Sequence, residues 1–385
     1  SLIFGGAVVT PKYTVDDPNI QERGFDASVT FEDYTPQVNI MPRMAFSFPI
    51  SDEANFFAHY DVLVQRPPSN NVATPIDYFY FAERTEIRNN PNLRPERTID
   101  YEVGFQQRLT NSSALKISAY YKELRDMVQF RTFLNVPGIN GQQYDTYDNL
   151  DFGTVKGFTF QYDLRRTGNV SLLLAYTLQF ADGTGSDANS SRGLSSRGLQ
   201  RTLYPLSFDE RHRVNLSLDY RYGSGKQYNG PRLFGVDILA NTGLNLQAVA
   251  VSGRPYTAKL VPDLLGGSST KGAINGSRLP WNYVLNFRLD KDFTLIRPKT
   301  DGARGLNMNV YLRVANVLDT RNITNVYSAT GSPSDDGYLD SSIGLDAIAQ
   351  ASNPNAYIAS YQWRMLNPTF FTLPRRIFLG AIFDF

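Results

Sequence analysis

The chain has 385 residues, a formal net charge of +1, 23 tyrosines, 25 phenylalanines and no cysteine. The balanced charge argues against a nucleic-acid binder, which usually carries a strong basic excess. The lack of cysteine excludes disulfides, thiol chemistry and cysteine-held metals. Only two histidines occur, His59 and His212, so a histidine-rich metal site is not expected.

Hydropathy gives two conflicting signals about membranes. No run of about 18 apolar residues occurs, so the sequence predicts no transmembrane helix. The mean hydropathy of −0.32 is that of a soluble protein. Strands of an outer-membrane β-barrel also give a polar average, however, because their apolar and polar residues alternate.

Alternation with a period of two residues predicts strand after strand along the chain. In the stretch NPNLRPERTIDYEVGFQ, for example, Tyr101 and Val103 alternate with Asp100 and Glu102. The same pattern predicts eleven strands, in chain order at about 38–49, 55–66, 95–108, 113–130, 153–166, 170–181, 209–222, 237–251, 280–293, 306–319 and 373–385.

The connections between these strands alternate in length. Short connections are predicted near 50–54, 109–113, 167–169, 223–236 and 294–305. Long ones, rich in Gly, Ser, Asn, Asp and Pro, are predicted at 67–94, 131–152, 181–208, 252–280 and 320–372. Short periplasmic turns and long external loops are typical of an outer-membrane barrel. The sequence therefore predicts an all-β fold, a transmembrane antiparallel β-barrel; the alternative is a soluble antiparallel sheet with one solvated face.

The predicted strands are longer than the usual ~5–6 residues and suit a tilted membrane crossing, which needs ~9–11. We expect their apolar face to contact lipid and their polar face to line a hydrated lumen. The residues predicted to line the lumen are Asp100, Glu102, Gln106, Asp163, Asp219, Arg288 and Arg313.

The sequence LPRRIFLGAIFDF ends on alternating apolar residues and a phenylalanine. It resembles the C-terminal signal by which outer-membrane barrels are recognised for insertion, with Phe383 and Phe385 as its aromatic positions. The last strand of a barrel must be amphipathic and must pair at its edges, because an open edge is not stable in lipid.

Several motifs in order resemble the TonB-dependent transporters. They are the mid-barrel stretch NPNLRPERTIDYEVGFQQRL and the late-strand stretch NVYLRVANVLDTRNITNVY. More narrowly, TPQVNIMPRMAFSFPISD, FDERHRVNLSLDY, SGRPYT, NGSRLPWNYVLNFRLDKDF and TGSPSDDGYL resemble the Oar-like branch of Bacteroidetes-type bacteria. The resemblance implies a 22-stranded barrel with a plugged lumen, a TonB-contact box and an outer-membrane location.

Against that family pattern, the eleven predicted strands correspond to the C-terminal half of a barrel. An odd number of strands does not close a bacterial barrel, so we expect this chain to be part of a longer protein. Residues 1–37 are predicted to be an external loop region and 38–385 the C-terminal part of the barrel. The plug domain and TonB box are expected to lie outside this chain.

The resemblance implies a transport function rather than an enzyme, with no cofactor. A scarce solute, which is a peptide, a glycan or a metal chelate, would be taken up with TonB-coupled energy. The implied partners are TonB, outer-membrane lipids, the barrel assembly machinery and a surface lipoprotein or another outer-membrane protein, with no nucleic acid. The alternative is a structural or docking barrel for a secretion or surface-protein assembly.

Two clusters in the sequence could carry chemistry. His212, in DERHRV, lies beside Asp209 and Glu210; it predicts either an acid–base site, as in a barrel protease, or an ion-paired cluster that pins a loop, which we favour. The acidic loop SPSDDGYLDSS at 332–342 predicts a solvated turn more than a calcium site. Possible external ligand contacts are Tyr78, Tyr80, Arg84, Tyr144, Arg254, Tyr256, Tyr338 and Trp363.

Overall fold

The fold is defined by a computed structural model of the chain. The structure describes residues 2–4, 7–9, 31–33, 36–66, 90, 93–134, 143–190, 202–266, 269–296 and 305–385. The statements below refer to these residues.

Eleven long strands dominate the described chain. They are β1 (Arg43–Pro49), β2 (Ala54–Gln65), β3 (Glu96–Arg108), β4 (Ser113–Leu134), β5 (Gln143–Thr167), β6 (Val170–Gly183), β7 (His212–Arg221), β8 (Thr242–Val251), β9 (Asn282–Ile296), β10 (Leu306–Ala315) and β11 (Arg376–Asp384). Each strand pairs with the next one along the chain, and every one of these pairs is antiparallel. Among the described residues β1 and β11 do not pair with each other, so the sheet is an open part of a barrel. The predicted all-β, antiparallel barrel fold is confirmed.

One predicted loop is largely strand. Most of 131–152, predicted as a long loop, extends β4 and β5 in register, from Arg131 opposite Thr146 to Leu134 opposite Gln143. The ladder is interrupted between Leu124 and Met127, where the pairing shifts and Asp126 has a φ of +56°. Such a bulge bends a strand without ending it, and the prediction of a loop missed the strand residues beyond it.

Two helices occupy the connection predicted as a loop at 320–372. They are α1 (Ser342–Gln350) and α2 (Pro354–Met365). The side chain of Ser341 accepts a hydrogen bond from the Gly344 N–H, and that of Asn353 accepts one from the Ala356 N–H. Ser and Asn are favoured at this position because they satisfy otherwise unpaired donors of the first turn. No helix in the described part of the chain is long and apolar enough to cross a membrane.

The smaller elements lie outside the eleven-strand path. Tyr204–Pro205 pairs with the end of β6, and two short hairpins lie in the connections after β7 and β8. Three short strands, Leu2–Phe4, Ala7–Val9 and Phe31–Asp33, form a separate sheet. The rest of the predicted loop region 1–37, apart from residues 36 and 37, lies outside the described residues.

Strand register gives the sheet one apolar face and one polar face. On the apolar face, Tyr60, Tyr101 and Tyr121 follow one another across three strands, with ring centroids 5.2 and 6.3 Å apart. These apolar side chains are not buried within the chain: Tyr101 is 41% exposed and Val103 48% exposed. A wide exposed apolar face is not expected for a water-soluble sheet but is expected for a lipid-facing barrel wall.

Gly104 offers a test of the packing on the polar face. A Cβ built on Gly104 would lie 2.2 Å from the Phe57 ring and 2.9 Å from the Ile117 carbonyl oxygen. We therefore expect Gly104→Val to lower the free energy of unfolding by about 1–3 kcal/mol, the usual cost of overpacking. The measurement is the urea midpoint of the barrel in lipid. Thr159→Val on the same face, which adds no heavy atom, is the control, and equal midpoints for the two variants would contradict the prediction.

Candidate functional site

The polar face of the sheet carries all seven residues predicted to line a lumen. Asp100, Glu102 and Gln106 on β3 are paired with β4 residues that include Lys122 and Lys116. Because side chains alternate along a strand, all of these point to the same side of the sheet. The register therefore assembles one polar surface from residues far apart in sequence.

A second row of the same face crosses four strands. Asp219 on β7 is opposite Asn245, Asn245 is opposite Arg288 on β9, and Arg288 is opposite Arg313 on β10. Asp163 joins the same face through Leu173 on β6. The structure thus brings three of the predicted residues, Asp219, Arg288 and Arg313, into one continuous line.

Opposite charges pair across this surface. Lys122 lies 2.6 Å from Asp100, and Lys116 lies 3.7 Å from Glu102. The remaining pairs are Arg166 with Asp219, Arg221 with Asp290 and Asp292, and Arg43 with Asp61. Lys116 and Glu102 are both partly exposed, so this pair contributes only about 0–1 kcal/mol, whereas the carboxylates of Asp61 and Asp290 are buried. The main effect of the pairs is a hydrated wall that carries both signs of charge.

The guanidinium groups of the second row also lie over aromatic rings. Arg288 is 4.5 Å from the centre of the Tyr311 ring, and Arg313 is 5.8 Å from that of Phe378. Contacts of this kind hold an arginine against the wall while its charge stays accessible. The positions of these charges are therefore set by the adjacent strands β10 and β11.

A concave region of about 490 Å³ lies at the short-turn end of the polar face. It is lined by wall residues Gln106, Lys116, Gln161, Asp163 and Arg165 together with the turns that follow β1 and β3. Gln106 and Asp163 were both predicted to line the lumen. The lining is mainly amide and charged, which suits a polar surface or water better than an apolar ligand.

At the opposite end of the sheet, the buried side chain of Asp209 contacts two long loops. Its side chain is only 1% exposed. It accepts a hydrogen bond from the Ala181 N–H at 3.0 Å and pairs with the guanidinium of Arg278, which also donates to the Asp209 carbonyl at 2.9 Å. The loop between β6 and β7 is thereby tied to the loop between β8 and β9.

His212 belongs to an aromatic row beside this cluster. Its Nδ1 lies 2.9 Å from the Tyr176 hydroxyl, and its ring stacks on Trp281 with centroids 5.7 Å apart. Trp281 stacks in turn on Tyr283. Aromatic rings at the end of an apolar barrel face are expected at the membrane interface. These contacts fit the interpretation that the cluster fixes a loop rather than performs acid–base chemistry.

A second buried carboxylate organises the loop that contains α1 and α2. The Tyr361 hydroxyl donates to Asp336 at 2.7 Å, and the Tyr338 and Tyr361 rings stack at 4.9 Å. Burial and the hydrogen bond to Asp336 raise the pKa of Tyr361 above its ordinary value. A cavity of about 170 Å³ lies against Asp336 and Tyr361, and it is also lined by Arg364.

The predicted external contacts are dispersed over the loop end. Arg254 pairs with Glu210 at 2.8 Å, Tyr256 lies in a short strand, Tyr338 is buried by the stacking above, and Trp363 on α2 is strongly exposed. Tyr144 lies in β5 with its backbone opposite Phe133. Tyr78, Tyr80 and Arg84 lie outside the described residues.

The acidic loop at 332–342 forms a turn. The Gly337 N–H donates to Asp335 at 2.9 Å, and the Tyr338 N–H donates to Asp336 at 3.0 Å. In the described part of the chain, no group of three or more His, Asp or Glu side chains is arranged to hold a metal ion. No local sequence pattern predicts the burial of Asp336 and Asp209, because their partners Tyr361 and Arg278 are distant along the chain.

A sequence profile decides the family. The profile described as "TonB dependent receptor-like, beta-barrel" matches residues 1–317. The chain belongs to this family. Receptor barrels of this family are outer-membrane proteins rather than enzymes, so the apolar face of this chain is a lipid-facing surface.

Several solved structures are similar to part of this chain. The first is P. aeruginosa FpvA bound to pyoverdine and iron, with 11% identity, a TM-score of 0.47, and 74% of this chain and 30% of that chain covered. The outer membrane transporter YddB from Escherichia coli is 11% identical, with a TM-score of 0.49, and the match covers 74% of this chain and 38% of that chain. The ferric-catecholate import receptor Fiu from E. coli is 15% identical, with a TM-score of 0.43, and the match covers 76% of this chain and 34% of that chain.

The chain spans about a third of the length of these solved structures, which it covers to 30%, 38% and 34%. A comparison with curated proteins found no match.

Removing Arg278 should expose the role of Asp209. We expect Arg278→Met to lower the free energy of unfolding by about 1–3 kcal/mol. The change removes the closer of two guanidinium partners of a buried carboxylate and leaves only Arg211, whose Nε lies 3.5 Å from Asp209. The control is Arg254→Met, whose guanidinium is 63% exposed and pairs with Glu210, and it should cost only about 0–1 kcal/mol. Chemical unfolding in lipid measures both, and a control that destabilises as much as Arg278→Met would refute this role.

The Tyr361 hydrogen bond should make the loop sensitive to alkaline pH. Because the folded-state pKa of Tyr361 is raised, its stabilising contribution is complete below the ordinary tyrosine pKa of about 10 and is lost as pH rises beyond it. The thermal transition of Trp363 fluorescence, measured in a Trp281→Phe background, should therefore fall above pH 10. Tyr361→Phe should lower the transition temperature at pH 8 and reduce the decrease of that temperature above pH 10. If Tyr361→Phe leaves the pH dependence unchanged, the assignment is contradicted.

Proposed function

We propose that the complete receptor takes up a scarce solute across the outer membrane with energy coupled through TonB. The observation that carries the proposal is the single polar face formed by all seven predicted wall residues across the eleven paired strands. Inside a barrel, this face would line a hydrated path. Because positive and negative side chains are mixed on this face, a polar solute would meet no strong electrostatic field of a single sign as it passes.

The domain arrangement belongs to the same proposal. Residues 38–385 would form the C-terminal part of the barrel, and residues 1–37 an external loop region. A plug domain from elsewhere in the protein would contact the polar wall, and the 490 Å³ concavity at the short-turn end offers amides and charges for that contact. Movement of the plug by TonB would then open the path along the wall.

Solute capture would take place at the loop end. Asp209 and Asp336 hold the loops in a fixed arrangement, which reduces the entropy lost when a ligand binds. Arg254, Tyr256 and Trp363 lie on these loops and supply the cationic and aromatic contacts that peptides, glycans and metal chelates require. The solute class is one of these three.

The remaining assignments are finer and follow from the sequence resemblance. We place the receptor in the Oar-like branch and assign Phe383 and Phe385 to the signal read by the barrel assembly machinery. Phe383 pairs with Met308, which puts it on the apolar face of β11. This orientation supports a role at the lipid-facing edge.

A second candidate function is a docking barrel for a secretion or surface-protein assembly. The observation that favours it is the exposed apolar surface of the two loop helices, with Ile343 57%, Leu345 56% and Trp363 77% exposed. A surface lipoprotein seated over the loops would cover these side chains. In that case transport would be secondary or lost.

Uptake measurements separate the two candidates. A strain that lacks the complete receptor is compared with its parent for accumulation of labelled peptides, glycans and ferric chelates, each with and without TonB. We expect one solute class to require both the receptor and TonB, while surface binding requires the receptor alone. If no class depends on TonB, and if the receptor instead co-purifies with a surface protein that Trp363→Ser releases, the docking function is supported.

A further inference from the structure

One connection at the short-turn end is much longer than the neighbouring turn between β5 and β6. β7 ends at Arg221 and β8 begins at Thr242, whereas β5 and β6 are joined by only two residues, at 168–169. The sequence pattern placed this connection among the short turns, at 223–236, and began the next strand at 237. The structure instead gives a separate hairpin formed by Arg232–Leu233 and Val236–Asp237.

The tip of this hairpin, Phe234 and Gly235, has an unfavourable residue at its first position. Phe234 has a φ of +47° and Gly235 a φ of +77°. Two positive φ values between paired strands define a tight turn that strongly prefers Asn-Gly. A bulky residue in this left-handed region stores strain, and such strain is more common where a residue has a functional role.

The tip is also strongly apolar and exposed. Phe234 is 96% exposed, Val236 62% and Leu233 54%. Leu233 and Val236 are opposite one another in the hairpin. Three contiguous apolar side chains on a protruding turn indicate a surface that is covered in the working protein.

The base of the hairpin is attached to the lipid-facing side of the sheet. The Tyr228 ring lies 5.9 Å from that of Tyr222, which lies 5.2 Å from that of Tyr220 on the apolar face. Lys291, opposite Thr242 on that same face, donates a hydrogen bond to the Ile238 carbonyl. The connection therefore leaves the strands on the side of the lipid rather than on the side of the polar wall.

We propose that the hairpin is a membrane anchor whose tip inserts into the phospholipid leaflet at the short-turn end of the barrel. The tip is continuous with the apolar barrel face, and the tyrosines beneath it have the amphipathic rings that favour the headgroup level. The ammonium groups of Lys226 and Lys291 lie on the same connection or beside it, where they can pair with lipid phosphates. The guanidinium of Arg232 pairs with Asp237 at 2.8 Å within the hairpin.

This anchor would fix the depth of the barrel on one side. Phe234 supplies apolar contact that an Asn at the same position would not, which explains a residue that the turn itself disfavours. A phospholipid surface meets all three features of the site: apolar tip, aromatic base and cationic flank. A soluble protein partner would meet only the first.

A spin-label depth measurement tests the proposal. This chain has no cysteine, and any cysteine elsewhere in the complete receptor is replaced by serine. Val236→Cys then gives a single nitroxide site, and Asp346→Cys, at an exposed position of the loop helix α1, gives a control label in water. The receptor is reconstituted into phosphatidylethanolamine–phosphatidylglycerol vesicles. Collision rates with oxygen and with a polar nickel complex then report the depth of each label.

We expect the label at 236 to lie about 5–10 Å below the phosphate level and the label at 346 to be in water. Adding Phe234→Asn should return the label at 236 to water without loss of folding, because Asn suits the turn. Equal water exposure at 236 and 346 would overturn the proposal. A label at 236 that neither oxygen nor nickel reaches would also overturn it, because that result indicates a protein contact.

Discussion

The pairing of every backbone polar group within a membrane-crossing segment is the constraint on which this structure depends. Lipid offers no partner to an exposed N–H or C=O, so strands can cross only as neighbours in a sheet. The antiparallel pairing of each strand with the next, from β1 to β11, meets this requirement within the sheet, apart from local bulges and the two outer edges. Once the register is fixed, the period of two residues assigns every side chain to the lipid or to the opposite face. The function of the wall is therefore decided by backbone hydrogen bonding.

The polar wall and the loop end use charge in different ways. On the wall, the pair of Lys116 with Glu102 is exposed and weak, so it can rearrange as a solute or a plug contacts it. At the loop end, Asp209 and Asp336 are buried and each is held by a partner from a distant segment. A buried carboxylate tolerates few arrangements, because an unpaired charge in the interior is costly. The loops are thus fixed where specificity is needed.

The lipid-facing side has its own organisation. Trp281 and Tyr283 stack at the loop end of the apolar face, and Tyr220 and Tyr222 pack together at the short-turn end. Two aromatic levels separated by an apolar band match the two interfaces of a membrane. The hairpin around Phe234 extends the second level away from the strands, so the surface in contact with lipid includes more than the barrel wall.

The sequence by itself determined the strand number and the two faces, because a period of two residues is a local property. It also placed Asp219, Arg288 and Arg313 on the polar face, since side-chain direction follows from position in a strand. Only the tertiary structure decided that these three form one row, because strand register depends on pairing. It alone extended β4 and β5 past a bulge at Asp126 and revealed the helices, since local composition there indicates turns. The pairing of Asp209 with Arg278, some seventy residues away, depends on a long-range contact that no local sequence pattern predicts.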